Sequence, residues 1–245
     1  GSWRAWEEAR VTGTTNGTAR STFINDWRGD LTLTYSPDHY NYSLTRGGPV
    51  MLDPGSTNLR GSLTTDSRKP VSVRLGFSRR SGFSDSGHET TLSGRLSLKP
   101  SPQVSVSFSP RVSHQTVMDQ YVTSTAAVPF EPTYGRRYLF GELERRTVSM
   151  EARVSWTFSP DLSFQLFAQP LLSSGDYTAY KQLAEPRAYD FLHFGEGTFS
   201  EADGVVSCVG GRICTEVEED GDRRQHLDLD GDGLADCSFG YRDFN

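Results

Sequence analysis

One phrase constrains this chain more than any other. Ser155-Trp-Thr-Phe-Ser-Pro-Asp-Leu-Ser-Phe-Gln-Leu-Phe-Ala-Gln169 is two alternating runs around a Ser-Pro-Asp turn. Val154, Trp156 and Phe158 precede the turn, and Leu162, Phe164 and Leu166 follow it. Pro160 presets a turn dihedral and Asp161 can bond its own backbone, so the chain reverses there. Alternation with a period of two gives each arm one apolar and one polar face. The phrase predicts a β-hairpin.

The chain repeats it. Leu31-Thr-Leu-Thr-Tyr-Ser-Pro-Asp-His-Tyr-Asn-Tyr-Ser-Leu44 and Leu96-Ser-Leu-Lys-Pro-Ser-Pro-Gln-Val-Ser-Val-Ser-Phe108 have the same form. Asp66-Ser-Arg-Lys-Pro-Val-Ser-Val-Arg-Leu-Gly-Phe77 is a looser copy. The spacings are irregular, which excludes a solenoid and predicts a meander with its tight turns on one rim. Asn16-Gly17 predicts a further hairpin turn. Strands are expected near 57–65, 70–80, 88–99 and 103–114, with Gly82 to Gly87 as a loop. Thr116 to Arg136 reads as a long connection on the opposite rim. Arg137 to Leu143 and Arg145 to Phe158 read as strands, one long strand if a bulge near Glu144 joins them. Asp176 to Ala184 carries helical spacing stopped by Pro186, and predicts one short helix.

What the apolar face meets is the next question. Only 35% of the residues are hydrophobic and the mean hydropathy is −0.54, low for a sandwich with a thick core. The polar positions between Val71 and Phe77, Val104 and Phe108, and Val148 and Trp156 are Ser, Arg, Glu and Gly, the chemistry of a wet barrel lumen. Lysine occurs only at positions 69, 99 and 181, so the basic residues are almost all arginine. No apolar window approaches the roughly 18 residues of a membrane helix, a rule that does not bear on membrane strands.

Fold class is therefore read as all-β, an antiparallel meander barrel of the outer-membrane type. It would have about eight to twelve strands, one short helix and an acidic, loop-rich tail. Residues 1–195 would form the barrel strands and loops, and 196–245 a tail packed on or beside it. The tail holds 13 acidic and 4 basic residues, a balance of −9 that leaves +3 for the rest of the chain. Neither part has the clustered basic and aromatic residues of a nucleic-acid surface. Aromatic clusters at Tyr35, Tyr40 and Tyr42 and at Trp156 and Phe158 suit interfacial girdles, sugar stacking or packing between subunits.

Asp228-Leu-Asp-Gly-Asp-Gly-Leu-Ala-Asp236 places carboxylates at Asp228, Asp230, Asp232 and Asp236, with Gly233 at the sharp turn. That spacing reproduces a calcium loop, to which Leu234 would add its backbone carbonyl. Phe239 stands where such loops usually carry a bidentate glutamate, and flanking helices are not expected. The other reading is a solvated acidic loop. Cys208, Cys214 and Cys237 fit no zinc spacing. In an exported chain one intrachain disulfide is expected, with Cys214–Cys237 or Cys208–Cys237 favoured as clips on the acidic loop. The odd thiol would be free to bridge subunits.

Catalysis finds little support. The five histidines form no metal-binding array, and there is no nucleophile elbow or phosphate loop. Glu142 and Glu144 share a strand face and read as partners of Arg145 and Arg146. Arg28-Gly-Asp30 matches a short adhesion tripeptide but lies in a strand context.

Several stretches resemble an uncharacterised bacterial family. They are Leu44-Thr-Arg-Gly-Gly-Pro-Val-Met51, Thr65-Asp-Ser-Arg-Lys-Pro70, Tyr134-Gly-Arg-Arg-Tyr-Leu-Phe140, the run from Trp156 to Pro170, Ser174-Gly-Asp-Tyr177 and Phe239-Gly-Tyr-Arg-Asp-Phe-Asn245. The family is that of C-terminal outer-membrane-type β-barrel domains that usually follow a carbohydrate-binding module resembling family nine. The resemblance covers nearly all of the chain. It implies an exported structural barrel with no established reaction, in contact with outer-membrane lipid. Members carry further strands before this region and a last strand pair after it, so the resemblance also implies open edges. Open edges admit strand addition between copies. Three readings follow: an outer-membrane barrel segment, a secreted barrel that polymerises into a filament, and a carbohydrate-binding sandwich.

Overall fold

A computed structural model describes residues 13–218 and 222–240. The Trp3 and Trp6 region and the end of the closing motif, beyond Gly240, lie outside the described residues. The chain is all-β with antiparallel strand pairing, and the one helical turn among the described residues is Glu131–Thr133.

A ten-stranded meander dominates. It contains β1 (Thr15–Thr22), β2 (Arg28–Ser36), β5 (Ser56–Thr64), β6 (Val71–Gly82), β7 (Gly87–Ser101) and β8 (Val104–Thr125). It continues through β9 (Arg137–Ser159), β10 (Leu162–Ala168), β11 (Leu171–Leu183) and β12 (Phe191–His193). Both β10 and β11 pair with the same edge of β9. Pro170 has no N–H to give, yet its carbonyl accepts from Met150 N–H at 3.1 Å, so the register continues across the gap.

Three of the expected turns hold. Residues 65–70 join β5 to β6, Pro102-Gln103 joins β7 to β8, and Pro160-Asp161 joins β9 to β10. Residues 23–27 join β1 to β2 on the same rim. Arg68 links two of these turns by pairing with both Asp26 and Asp66, and its guanidinium holds the Asp66 carboxyl below the usual range.

The structure corrects other expectations. Asn16-Gly17 is not a turn but lies within β1, opposite Thr34 and Leu33. Ser36-Pro37-Asp38 does not close a hairpin. Beyond Ser36 the chain makes an excursion through β3 (His39–Asn41) and β4 (Met51–Asp53), which pair with each other, before β5 returns beside β2. Asp38 spends its carboxylate on Gly55 N–H at 2.7 Å instead of on its own turn. Gly55 is required there, because a Cβ would lie 2.4 Å from the Ser36 carbonyl oxygen.

Thr116 to Thr125 is not loop but the upper end of β8, leaving 126–136 as the connection. Asp176 to Ala184 is not a helix but most of β11. A bulge between Thr178 and Lys181, with Ala179 at φ 47°, shifts the alternation by one place. That shift puts Tyr177 and Tyr180 on one face at an apparent helical spacing, while Leu183 faces the other way. Arg137 to Ser159 is one continuous strand; the bulges near Glu144 lie on its neighbours β8 and β11, and Phe158 is an extra residue of β9 opposite β10.

The tail is more structured than its composition suggests. It forms β13 (Thr198–Ala202), β14 (Val205–Val209), β15 (Ile213–Val217), β16 (Arg223–Leu227) and β17 (Cys237–Gly240). Its few apolar residues are concentrated where they count. Ile213, Leu227, Leu229 and Phe239 join Val122, Leu139, Tyr180 and Phe194 in one buried cluster. A second cluster holds Met51, Tyr138, Phe140 and Leu183. Alternation along the upper end of β9 sends Leu139 into the first cluster and Tyr138 and Phe140 into the second. The core therefore sits at the loop end of the sheet, with the upper end of β9 buried on both faces.

Candidate functional site

Below that core the sheet has none. Its lower part has one apolar face, built in register across the strands. Phe77 opposes Leu92, Leu92 opposes Val112, and Val112 opposes Val148. Lower down, Leu96, Phe108 and Ala152 align, and Val154 meets Leu166 while Trp156 meets Phe164. These side chains are uncovered: Leu75 is 57% exposed, Val148 51% and Phe164 47%. A contiguous apolar surface of this kind marks a site of contact.

The band has edges. On the same face, the next row up is Arg79, Thr90, His114 and Arg146. Arg79 donates to Thr90 at 3.0 Å, while His114 and Arg146 meet Glu144 at 3.1 and 2.8 Å. Across β6 to β9 the surface thus changes from aliphatic to ionic within one residue pair, whereas on β5 and β2 the same row is Leu59 and Leu33. Tyr35 and Phe83 lie in ring contact at 5.9 Å near the loop end. Trp156 and Phe158 stack at 4.3 Å near the turn end. From Val148 to Phe158 the strand rises about 33 Å, which at a tilt of about 40° projects to about 25 Å. That is the apolar height of an outer-membrane barrel.

The opposite face is serine, threonine and arginine, as the alternation predicts. Among the described residues the sheet does not close: β1 has no strand partner beyond β2, and β10 none beyond β9.

The acidic loop is one segment, and three of its carboxylates converge. The segment 228–236 connects β16 to β17, two strands in place of the helices of an EF-hand. Asp228, Asp230 and Asp236 bring one carboxylate oxygen each to within 4.8 Å of one another. Asp232 lies outside that group, and its carboxylate accepts from Leu234 N–H at 2.8 Å. Asp228 is buried and accepts from Gly231 N–H at 2.5 Å and Gly233 N–H at 3.0 Å. Asp236 accepts from Leu229 N–H at 2.6 Å. The three carboxylates form a site able to hold a metal ion. Leu234 is exposed, and its segment bridges to Ser207.

The disulfide is Cys208–Cys214, not either pairing with Cys237. The turn between β14 and β15 returns Cys214 to a Cα–Cα distance of 5.3 Å from Cys208. Cys237 is drawn instead against the first core cluster. Burial pushes its thiol up to about 11. Alkylation by iodoacetamide at pH 8 is expected to run about 100-fold slower in the native protein than in urea, because so little thiolate is present. The rate should rise with pH toward 11; equal rates in both states would contradict the burial.

The remaining motifs separate. Glu144 pairs with Arg146 as expected, whereas Glu142 lies 3.8 Å from the buried Lys181 amine. Arg28-Gly-Asp30 begins β2, paired on both sides, and Asp30 engages Arg20 at 3.4 Å. His39, His114 and His226 each face a different carboxylate and do not converge.

Fold and site together define an antiparallel all-β protein with an uncovered apolar band, a cored loop end and an acidic carboxylate loop. No family model, curated protein or solved structure matches the chain.

Proposed function

We propose that this chain is a non-enzymatic, membrane-embedded barrel segment of the outer-membrane type, exported and structural in role. One observation carries the reading: the apolar band is in register across the sheet and ends in an ionic row on β6 to β9, and at the tilt of outer-membrane strands its run would span about 25 Å. The resemblance of its motifs to C-terminal barrel domains points the same way. In this reading the band faces lipid, the serine- and arginine-rich face lines a lumen, and the loop end stands outside the bilayer.

A second reading draws on the open edges. Unpaired backbone on β1 and β10 is a template for strand addition, and repeated addition between copies gives a filament. Electron microscopy of the purified protein separates the two. Detergent-dependent discrete particles are the expected result. Filaments formed without detergent would replace the membrane reading with the polymer. A carbohydrate-binding sandwich would need a second sheet against the apolar band; soluble monomers that bind sugar would favour it.

Calcium is the ion that suits the Asp228, Asp230 and Asp236 cluster, since hard oxygen ligands and a glycine-bent loop match its needs. Calorimetric titration of the apo protein is expected to give saturable heat that Asp230→Asn removes. No heat at millimolar calcium would eliminate the site.

A further inference from the structure

We infer that the polar face of the sheet is an anion-binding surface, and that its strongest site, formed by Arg74, Arg95 and Arg111, takes a chain of linked phosphate groups. Strand alternation gathers on this face nine arginines, running from Arg20 on β1 to Arg153 on β9, against only Asp30, Glu89 and Glu151. Two of those carboxylates are already engaged, Asp30 by Arg20 and Glu151 by Arg153 at 2.9 Å. Glu89 stands opposite Arg80 and accepts from the Thr91 hydroxyl at 3.3 Å. Most of the positive charge has no counter-charge within the described residues.

The excess is sharpest in the middle. Arg74 and Arg95 stand directly opposite each other across β6 and β7. Like charges so placed destabilise a sheet, so their juxtaposition favours an anion between them. Arg111 follows on β8, opposite Ser93 on one side and Ser149 on the other. The three arginines line a cavity of about 400 Å³ with Ser93, Ser109, Ser149 and one carboxylate, Glu151, which Arg153 engages from outside the cavity. Two are held in position through one nitrogen only: Arg74 Nε donates to Thr64 at 2.9 Å and Arg95 Nε to Ser109 at 3.1 Å. Guanidinium forks and hydroxyls are the donors that bind phosphate oxygens best.

The array extends over two strand spacings, about 10 Å, more than one phosphate group fills. It also lies on the side opposite the apolar band. A lipid headgroup beside that band cannot reach it, so the ligand comes from solution. The inference holds whatever the apolar band touches.

The test is calorimetric titration of the full chain, in detergent micelles, with inorganic tripolyphosphate at low salt. Saturable binding that weakens as salt rises is expected. Arg74→Gln with Arg111→Gln should weaken it about 100-fold, at about tenfold for each lost fork. Arg79→Gln with Arg146→Gln, on the other face, should change it less than about twofold. Arg74→Lys with Arg111→Lys, which keeps the charge, should fall between. No saturable binding by the folded protein, or equal losses from the two glutamine pairs, would overturn the site.

Discussion

Phe108→Arg is expected to destabilise the protein in lipid vesicles by about 2–4 kcal/mol, the cost of an arginine near the bilayer midplane. Phe108 lies at the centre of the apolar run of β8, between Leu96 on β7 and Ala152 on β9. It is 37% exposed, so the new side chain meets no steric obstacle. The penalty would come from its surroundings alone. If the band faces water, the same substitution should change stability by less than about 0.5 kcal/mol. Ser105→Arg, three residues away on the polar face and opposite Ser155, supplies the control and should be tolerated. The readout is the urea midpoint of unfolding from vesicles, with the slope compared to detect a changed mechanism. A small effect at position 108 would remove lipid as the partner of the band.

Phe140→Ala is expected to cost about 3–5 kcal/mol, the usual range for deleting a buried ring. Phe140 is fully buried and makes edge contacts with Tyr121 and Phe191, whose ring centroids lie 5.9 and 5.4 Å away. It packs in one cluster with Met51, Tyr138 and Leu183, so a truncation there loosens β4, β9 and β11 together. Phe140→Leu keeps most of the volume and should cost less than half as much. Leu75→Ala, in the exposed band, offers the contrast. It removes a side chain that no protein atoms enclose, and its effect should stay near zero in urea unfolding of detergent-solubilised protein. Together the pair would locate stability at the loop end of the sheet. Equal costs at 75 and 140 would mean that the band is a core after all.

Much of this arrangement was legible in the residues. Alternation between Val71 and Phe77, or Val148 and Phe158, assigns side chains to faces because a strand's period is two. Ser-Pro turns at 101–103 and 159–161 are equally local, since proline presets its own dihedral. The acidic loop was legible for the same reason, its carboxylates being near neighbours in sequence. The errors arose where a distant partner decided. Tyr177 and Tyr180 look helical because a bulge on β11 breaks the alternation and puts both on one face, and only pairing with β9 reveals it.

By itself the sequence determined an antiparallel all-β chain with tight turns on one rim and a two-faced sheet, because dihedral preference and strand periodicity act within a few residues. Only the tertiary structure decided that β5, not β3, pairs with β2, and that Cys208 meets Cys214 while Cys237 joins a core. It alone brought Arg74 against Arg95 across two strands, and set the row of Arg79, His114 and Arg146 as the upper limit of the apolar band. Those outcomes depend on strand register, a property of pairs of segments far apart in the chain, and no single stretch of sequence carries it.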